Sequence, residues 1–359
     1  MFNEANASNC RHFPENCHMH LNPIVSEVDF DLAGRHTGYL RLPHSVHRSA
    51  YGWLPFPVVS IRNGSGPVVL VMAGNHGDEY EGQILAAQLA REIDPAHLTG
   101  QIIVLPAANA PAVEQGLRTS PIDDGNLNRA FPGDPRGSPT QIAAHYIEHE
   151  LLARADYLID LHSGGSSLLY HGGNMLAIEP RDEAEKARLI DLLNAFGLPN
   201  AFIHRENPVH AAAAARRQGA VSITTELGGA GTVSSALIRE ARQGLLHFLG
   251  HVGLLHGPLV PESPPASVRF RRVAGARHYV YAYDSGVYEP LVELGDRVSQ
   301  GQPAARIHFP DTPWREPVIR HFDSDGEVVC KRVPALVRRG DCLFHLAEDD
   351  PTFFTQLAR

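Results

Sequence analysis

The sequence predicts an α/β/α sandwich with a largely parallel central sheet, joined to a small β-rich unit. Three observations carry this. Strand-like and helix-like stretches alternate from about Val58 to about His256, which is the grammar of βαβ units. At 258–265 the composition turns proline-rich (PLVPESPP), as in an extended linker. Beyond it, short β-prone runs are separated by Gly and Asp, a strand-and-turn pattern. With 359 residues and 43% hydrophobic content, the chain is long enough for a large core and a second, smaller unit.

The elements follow in order. Residues 67–73 (PVVLVMA) form a continuous apolar run, as in a strand buried on both faces, and 81–93 carries helical periodicity that stops before Pro95. The next strand is 101–105. The pattern resumes with a helix at 141–153, a strand at 155–161, a helix at 183–196, a strand at 220–225 and a helix at 234–249. These elements define a central unit at 49–257, preceded by a partly β segment at 1–48 that packs on the core or on the β unit. The linker occupies 258–267 and the β-rich unit 268–359. Its Gly295-Asp296 and Gly340-Asp341 turns resemble those of the hammerhead folds that carry lipoyl or biotinyl groups. No lysine sits in the hairpin such folds modify, so the unit is expected to be structural or lid-like.

Charge narrows the function classes. A formal charge of −9 and a pI near 6.1, with Lys and Arg scattered, argue against nucleic-acid or anionic-membrane partners. An anionic small molecule remains open, because local arginines can override the net sign. The first 20 residues lack a basic region followed by an apolar one, and no apolar run nears the roughly 18 residues of a spanning helix; a cytoplasmic location is expected. Four cysteines are too few for a disulfide framework in a chain of this size. Cys10 and Cys17 lie among His12, His18 and His20 with a spacing that matches no finger or knuckle, so a mobile or edge-packed tail is the reading there.

The motif with the most chemical content is Gly74-Asn75-His76-Gly77-Asp78-Glu79, which follows the first apolar strand. His76 and Glu79 have the H-x-x-E spacing of a metal site, and an imidazole with a carboxylate suits a borderline cation such as zinc. A third ligand is available at Asp160-Leu161-His162, again at a strand end, where ligands gather in open α/β sheets. Asp160 shares a face with His162 and can hold its second ring nitrogen. Any one of the 21 histidines taken singly is more often a packed or surface residue.

A further strand end delivers Glu226, which would be either a general base for the attacking water or an exposed glutamate after the strand. The long loop 118–133 carries Arg118, Asn128 and Arg129. These could meet a developing oxyanion and a substrate carboxylate, or the arginines could pair with Asp123 and Asp124.

Taken in order, His76-x-x-Glu79, Arg118, Asn128-Arg129, Asp160-x-His162 and Glu226 resemble the succinylglutamate desuccinylase and aspartoacylase family, which is related to the zinc carboxypeptidases. The resemblance covers about 49–255, and the trailing β unit fits the family's two-part build. It implies a zinc-dependent deacylase with a mixed-sheet, carboxypeptidase-like core and one zinc ion per subunit. It further implies His76, Glu79 and His162 as ligands and Glu226 as general base. Arg118 would polarise the scissile carbonyl, while Asn128 and Arg129 would hold the substrate's α-carboxylate.

The substrate so implied is a small N-acyl amino acid, and the assembly a homo-oligomer such as a dimer. The fuller motifs 75–82 (NHGDEYEG) and 125–133 (GNLNRAFPG) look most like the branch that deacetylates Nα-acetyl-L-2,4-diaminobutyrate in ectoine breakdown. Other readings stay open: another N-acyl amino acid, a peptide substrate for a metallocarboxypeptidase, a non-haem iron oxygenase using the same two-histidine, one-carboxylate set, or a non-catalytic binding protein. Segments 170–175 and 205–210 and the β unit are candidates to line the substrate pocket.

Overall fold

The computed structural model describes residues 22–350 apart from 263, 264, 266 and 274; Cys10, His12, Cys17, His18 and His20 lie outside these residues. Among the described residues, fourteen strands join in one sheet of mixed orientation. At its centre Gly100–Leu105, Val68–Ala73, Tyr157–His162 and Val221–Gly229 run side by side and parallel. Leu168–Ile178 then pairs antiparallel to Val221–Gly229 and parallel to Asn200–His204.

Parallel pairing is thus narrower than the sequence suggests. On one flank, Gly34–Pro43 and Trp53–Asn63 form an antiparallel hairpin, and Trp53–Asn63 pairs antiparallel with Gly100–Leu105. The link at 44–52 is too short for the crossover of a dozen or more residues that a parallel neighbour requires.

The centre is buried on both faces because alternate residues of each strand point to opposite sides. Val69 and Val71 face Leu85 and Leu89 of helix Tyr80–Glu92, Leu193 and Phe196 of helix Glu183–Phe196, and Leu245 and Leu249 of helix Ser235–His251. Leu70 and Met72 face the other way. There they join Ala143 of helix Pro139–Tyr146, Ala211, Ala214 and Ala215 of helix Ala211–Arg217, and the N-terminal residues Ile24, Val28 and Phe30. Strands apolar on both sides need such cover, and this explains the unbroken runs in the sequence.

Several elements differ in detail from expectation. The helix expected at 141–153 is Pro139–Tyr146, continued by a π turn at Ile147–Leu151 and a 3-10 turn at Leu152–Arg154. Leu168–Ile178, with glycines at 172 and 173, and the poly-alanine helix Ala211–Arg217 carry no periodic signal. Leu259 and Val260, in the proline-rich stretch, pack against the core rather than standing free of it.

The C-terminal strands are divided between the large sheet and a small one of their own. Arg269–Arg272 pairs parallel with Asn200–His204, and Gly326–Arg332 pairs antiparallel with the start of Leu168–Ile178. Cys342–Asp349 bridges these two strands. A second sheet of four short strands closes over an apolar cluster that includes Ile307, Phe322 and Phe344. No helix among the described residues is long and apolar enough to cross a membrane.

Candidate active site

Four central elements end on one cavity. Val68–Ala73 runs into the loop that carries His76, and Glu79 caps helix Tyr80–Glu92. Gly74 turns that loop with φ of +66°, while a Cβ at Gly77 would lie 2.0 Å from the Ala112 carbonyl oxygen. The loop can therefore lie flat against helix Ala110–Gln115 only with glycine there. His162 is the last residue of Tyr157–His162, and its cross-strand partner is Glu226. Thr225 Oγ1 accepts from the His162 N–H and donates to the His162 carbonyl, both at 3.3 Å.

The three side chains His76, Glu79 and His162 are buried, and their ligating atoms lie within 4.8 Å of one another. His76 Nδ1 is 2.7 Å from Glu79 Oε1, and His162 Nδ1 is 2.7 Å from Glu79 Oε2. Each imidazole is held from behind. His162 Nε2 is 3.0 Å from Asp160 Oδ2, and His76 Nε2 is 3.2 Å from Asn126 Oδ1. Both of those oxygens only accept hydrogen bonds, so each Nε2–H donates outward and each Nδ1 turns its lone pair toward a carboxylate oxygen. Two lone pairs and a carboxylate facing one another in a buried site need positive charge between them. This donor set suits a borderline divalent cation such as zinc.

Protons supply that charge when no cation does. Burial by itself lowers His162, but Asp160 and Glu79 lift it well above the ordinary imidazole value. Burial by itself raises Glu79, yet His162 and His76 pull it far below the usual carboxylate range. A cation and protons therefore compete for the same atoms.

Glu226 lies inside Val221–Gly229, which runs past the 225 expected as its end, and is not an exposed glutamate after the strand. Its Oε2 is buried without a hydrogen-bond partner. Burial, with the Glu79 carboxylate adding to it, raises Glu226 well above the usual range, opposed by His162 and Arg118. Arg118 is half-exposed, its Nη1 3.5 Å from Glu79 Oε1 and 3.4 Å from His76 Nδ1.

Asn128 Oδ1 accepts from the Ala211 N–H at 3.0 Å, and Arg129 Nη1 donates to the Asn128 carbonyl at 2.8 Å. Asp123 is not the partner of either arginine in these bonds, since it accepts from Thr140 N–H and Oγ1, each at 2.8 Å. Burial and the nearby Arg118 push the Arg129 guanidinium down from its ordinary value.

All eight candidate residues line one cavity of about 1030 Å³: His76, Glu79, Arg118, Asn128, Arg129, Asp160, His162 and Glu226. Tyr170 and Asn174 from one pocket candidate segment line it, as do Arg205 and His210 from the other, and so do Arg272, Tyr279 and His345 of the C-terminal strands. Sequence reasoning missed Asn126, whose contact with His76 spans 50 positions; its only signal is membership of the long loop. Asp78, which the motif left without a task, braces the site. Asp78 Oδ2 accepts from Ser166 N–H and Oγ, both at 2.8 Å, and so ties the loop after His162 to the loop of His76.

The model of the succinylglutamate desuccinylase/aspartoacylase catalytic domain matches residues 65–252. The chain is 38% identical to the N-alpha-acetyl-L-2,4-diaminobutyric acid deacetylase of Halomonas elongata, over 91% of this chain and 95% of that protein. Its fold matches the product-bound structure of the ectoine utilization protein EutE (DoeB) from Ruegeria pomeroyi, with TM-score 0.86 and 35% identity over 91% of this chain and 99% of that one. It also matches a succinylglutamate desuccinylase/aspartoacylase from Rhodobacter sphaeroides, with TM-score 0.85 and 36% identity over 92% of this chain and 100% of that one.

Proposed function

Since the chain belongs to the succinylglutamate desuccinylase/aspartoacylase family, whose chemistry is hydrolytic, we propose that it is a zinc-dependent deacetylase of Nα-acetyl-L-2,4-diaminobutyrate. It would release acetate and 2,4-diaminobutyrate in ectoine catabolism. One observation carries the reading: the ligating atoms of two buried imidazoles and a buried carboxylate lie within 4.8 Å of one another in a cavity that also holds Glu226, with its buried and unpartnered Oε2, and a pair of arginines. The 38% identity to a deacetylase over nearly the whole chain supports the substrate.

In this reading His76, Glu79 and His162 hold the zinc ion, with Asp160 and Asn126 orienting the two imidazoles. The bound metal would polarise the acyl carbonyl and acidify the attacking water. Glu226 takes the proton from that water and returns it to the departing α-amine. The surroundings that raise its pKa suit a group that must both accept and release a proton. Arg118 meets the charge that develops on the carbonyl oxygen; a well-placed donor of this kind contributes about 3 kcal/mol to the transition state. Asn128 and Arg129 receive the α-carboxylate, the latter as a planar fork. Asn128 is itself fixed by the Ala211 N–H.

The test is a hydrolysis assay on the purified, zinc-loaded protein. Hydrolysis of Nα-acetyl-L-2,4-diaminobutyrate, read as the free amine released, should exceed that of N-succinylglutamate, N-acetylaspartate and short peptides. Preference for either of the other amino-acid derivatives would move the chain to another branch of the family. Turnover of peptides alone would make it a carboxypeptidase.

A further inference from the structure

Four cross-strand neighbours stand in a single row along the edge of the cavity. Tyr170 is registered opposite Cys330, Cys330 opposite His345, and His345 opposite Tyr279. Residues directly opposite one another in adjacent strands project to the same face. Cys330 is fully buried and small, so the rings on either side of it come together. The Tyr170 and His345 rings are 6.1 Å apart, and those of Tyr279 and His345 are 4.6 Å apart, both edge to face. The three rings line the cavity.

A bulge begins at Tyr170 on its other side. Between Leu169, paired with Gly229, and Gly173, paired with Leu227, residues 170–172 stand against Gly228 alone. Extra residues of this kind bend the strand that holds them, here beside the strand that carries Glu226. The row bears no charge near neutrality. Burial raises the Tyr170 and Tyr279 hydroxyls, and it holds His345 down at about 4.

We propose that Tyr170, His345 and Tyr279 form the acyl wall of the site, a surface that accepts a short uncharged acyl group and rejects longer or carboxylate-bearing ones. The inference rests on the deacetylase reading above. The amino-acid part of such a substrate carries a carboxylate and an ammonium group, and both require ionic or strongly polar partners. Asn128 and Arg129 offer these to the carboxylate. The row offers no ion, which leaves it for the one uncharged part of the substrate. A succinyl chain would bring a carboxylate against rings that provide no cation for it, whereas an acetyl methyl needs only apolar contact.

The experiment compares kcat/KM for the acetyl, propionyl, butyryl and succinyl derivatives of L-2,4-diaminobutyrate in the zinc-loaded enzyme. In the unaltered protein each added methylene should cost about tenfold or more, and the succinyl derivative should be inert. Tyr279→Ala and His345→Ala should each shrink the preference for acetyl over butyryl by about tenfold. The size-conserving Tyr279→Phe and His345→Gln should leave that preference within about threefold.

Two outcomes overturn the proposal. One is an unaltered enzyme that cleaves succinyl as well as acetyl, which needs no variant to fold. The other is an unchanged acyl preference in the alanine variants together with weaker inhibition by free 2,4-diaminobutyrate, which would assign the rings to the ammonium group instead. If the unaltered protein cleaves none of these compounds, the deacetylase reading itself has failed.

Discussion

The cavity has two unlike sides. Its candidate metal cradle is made of the buried polar groups His76, Glu79, His162 and Asp160, joined by the half-buried Asn126, which fix one another at hydrogen-bond distance. Its ring wall consists of half-buried side chains that touch edge to face without ionic contact. The cradle is built where strand ends meet loops of the central sheet, and the wall is built across strands that lie far apart in sequence. A network of buried polar groups tolerates no missing member, while an aromatic surface tolerates a change of shape. In the proposed reading, chemistry and selectivity thus rest on parts of the molecule with different tolerance to substitution.

Variants should separate the two sides, and those of the cradle should have the largest effects. Glu226→Gln is expected to keep its zinc and lose about a thousandfold or more in kcat; metal analysis beside steady-state kinetics checks both halves, and near-normal turnover would remove Glu226 from the proton-transfer role. His162→Ala should lose zinc outright, and full occupancy by mass spectrometry of the native protein would contradict its place as a ligand. Asp160→Asn should weaken zinc binding by about 10- to 100-fold, read by chelator competition, with the preference for acetyl over butyryl unchanged. For Arg129→Ala the expected loss is a KM raised by about tenfold or more, from one charge-assisted hydrogen bond removed. An unchanged KM would free Arg129 from carboxylate binding.

The smallest expected effect compares the sides through pH. His210 lies on the polar side and His345 in the wall, and burial holds each down at about 4. A folded-state value below the unfolded value near 6.5 means that the unfolded chain binds more protons between the two. The stability each contributes is therefore complete above about 6.5 and is lost as the pH falls toward 4. Melting temperature should drop less steeply over that window in His210→Gln and in His345→Gln than in the unaltered protein. Identical slopes would show that neither histidine is held neutral.

The two sides also differ in how much of them is legible in the chain. His76 and Glu79 are three residues apart, and Asp160 and His162 two, so local geometry brings each pair together and the spacing reports it. The apolar patterns likewise announce Val68–Ala73 and Glu183–Phe196, because covering a strand on two faces leaves an unbroken apolar run and covering a helix on one leaves a periodic trace. The row from Tyr170 to Tyr279 leaves no such trace. It depends on a register across four strands, beside a bulge at glycines 172 and 228, and neither registers nor bulges have a period. Asn126 escapes notice for a related reason, since its partner His76 is brought to it by the folding of a long loop.

The shared sheet has a further consequence for any shortened form of this protein. Strands Asn200–His204 and Leu168–Ile178 each spend part of their backbone hydrogen bonding on the C-terminal strands. A chain ended before Val268 would leave Asn200–His204 and the start of Leu168–Ile178 as raw edges, open to pairing with the same edges of other molecules. Such a truncation should reveal itself first as aggregation in light scattering, before any question of relaxed acyl selectivity can be asked of it. The C-terminal strands thereby keep the catalytic sheet from recruiting copies of itself.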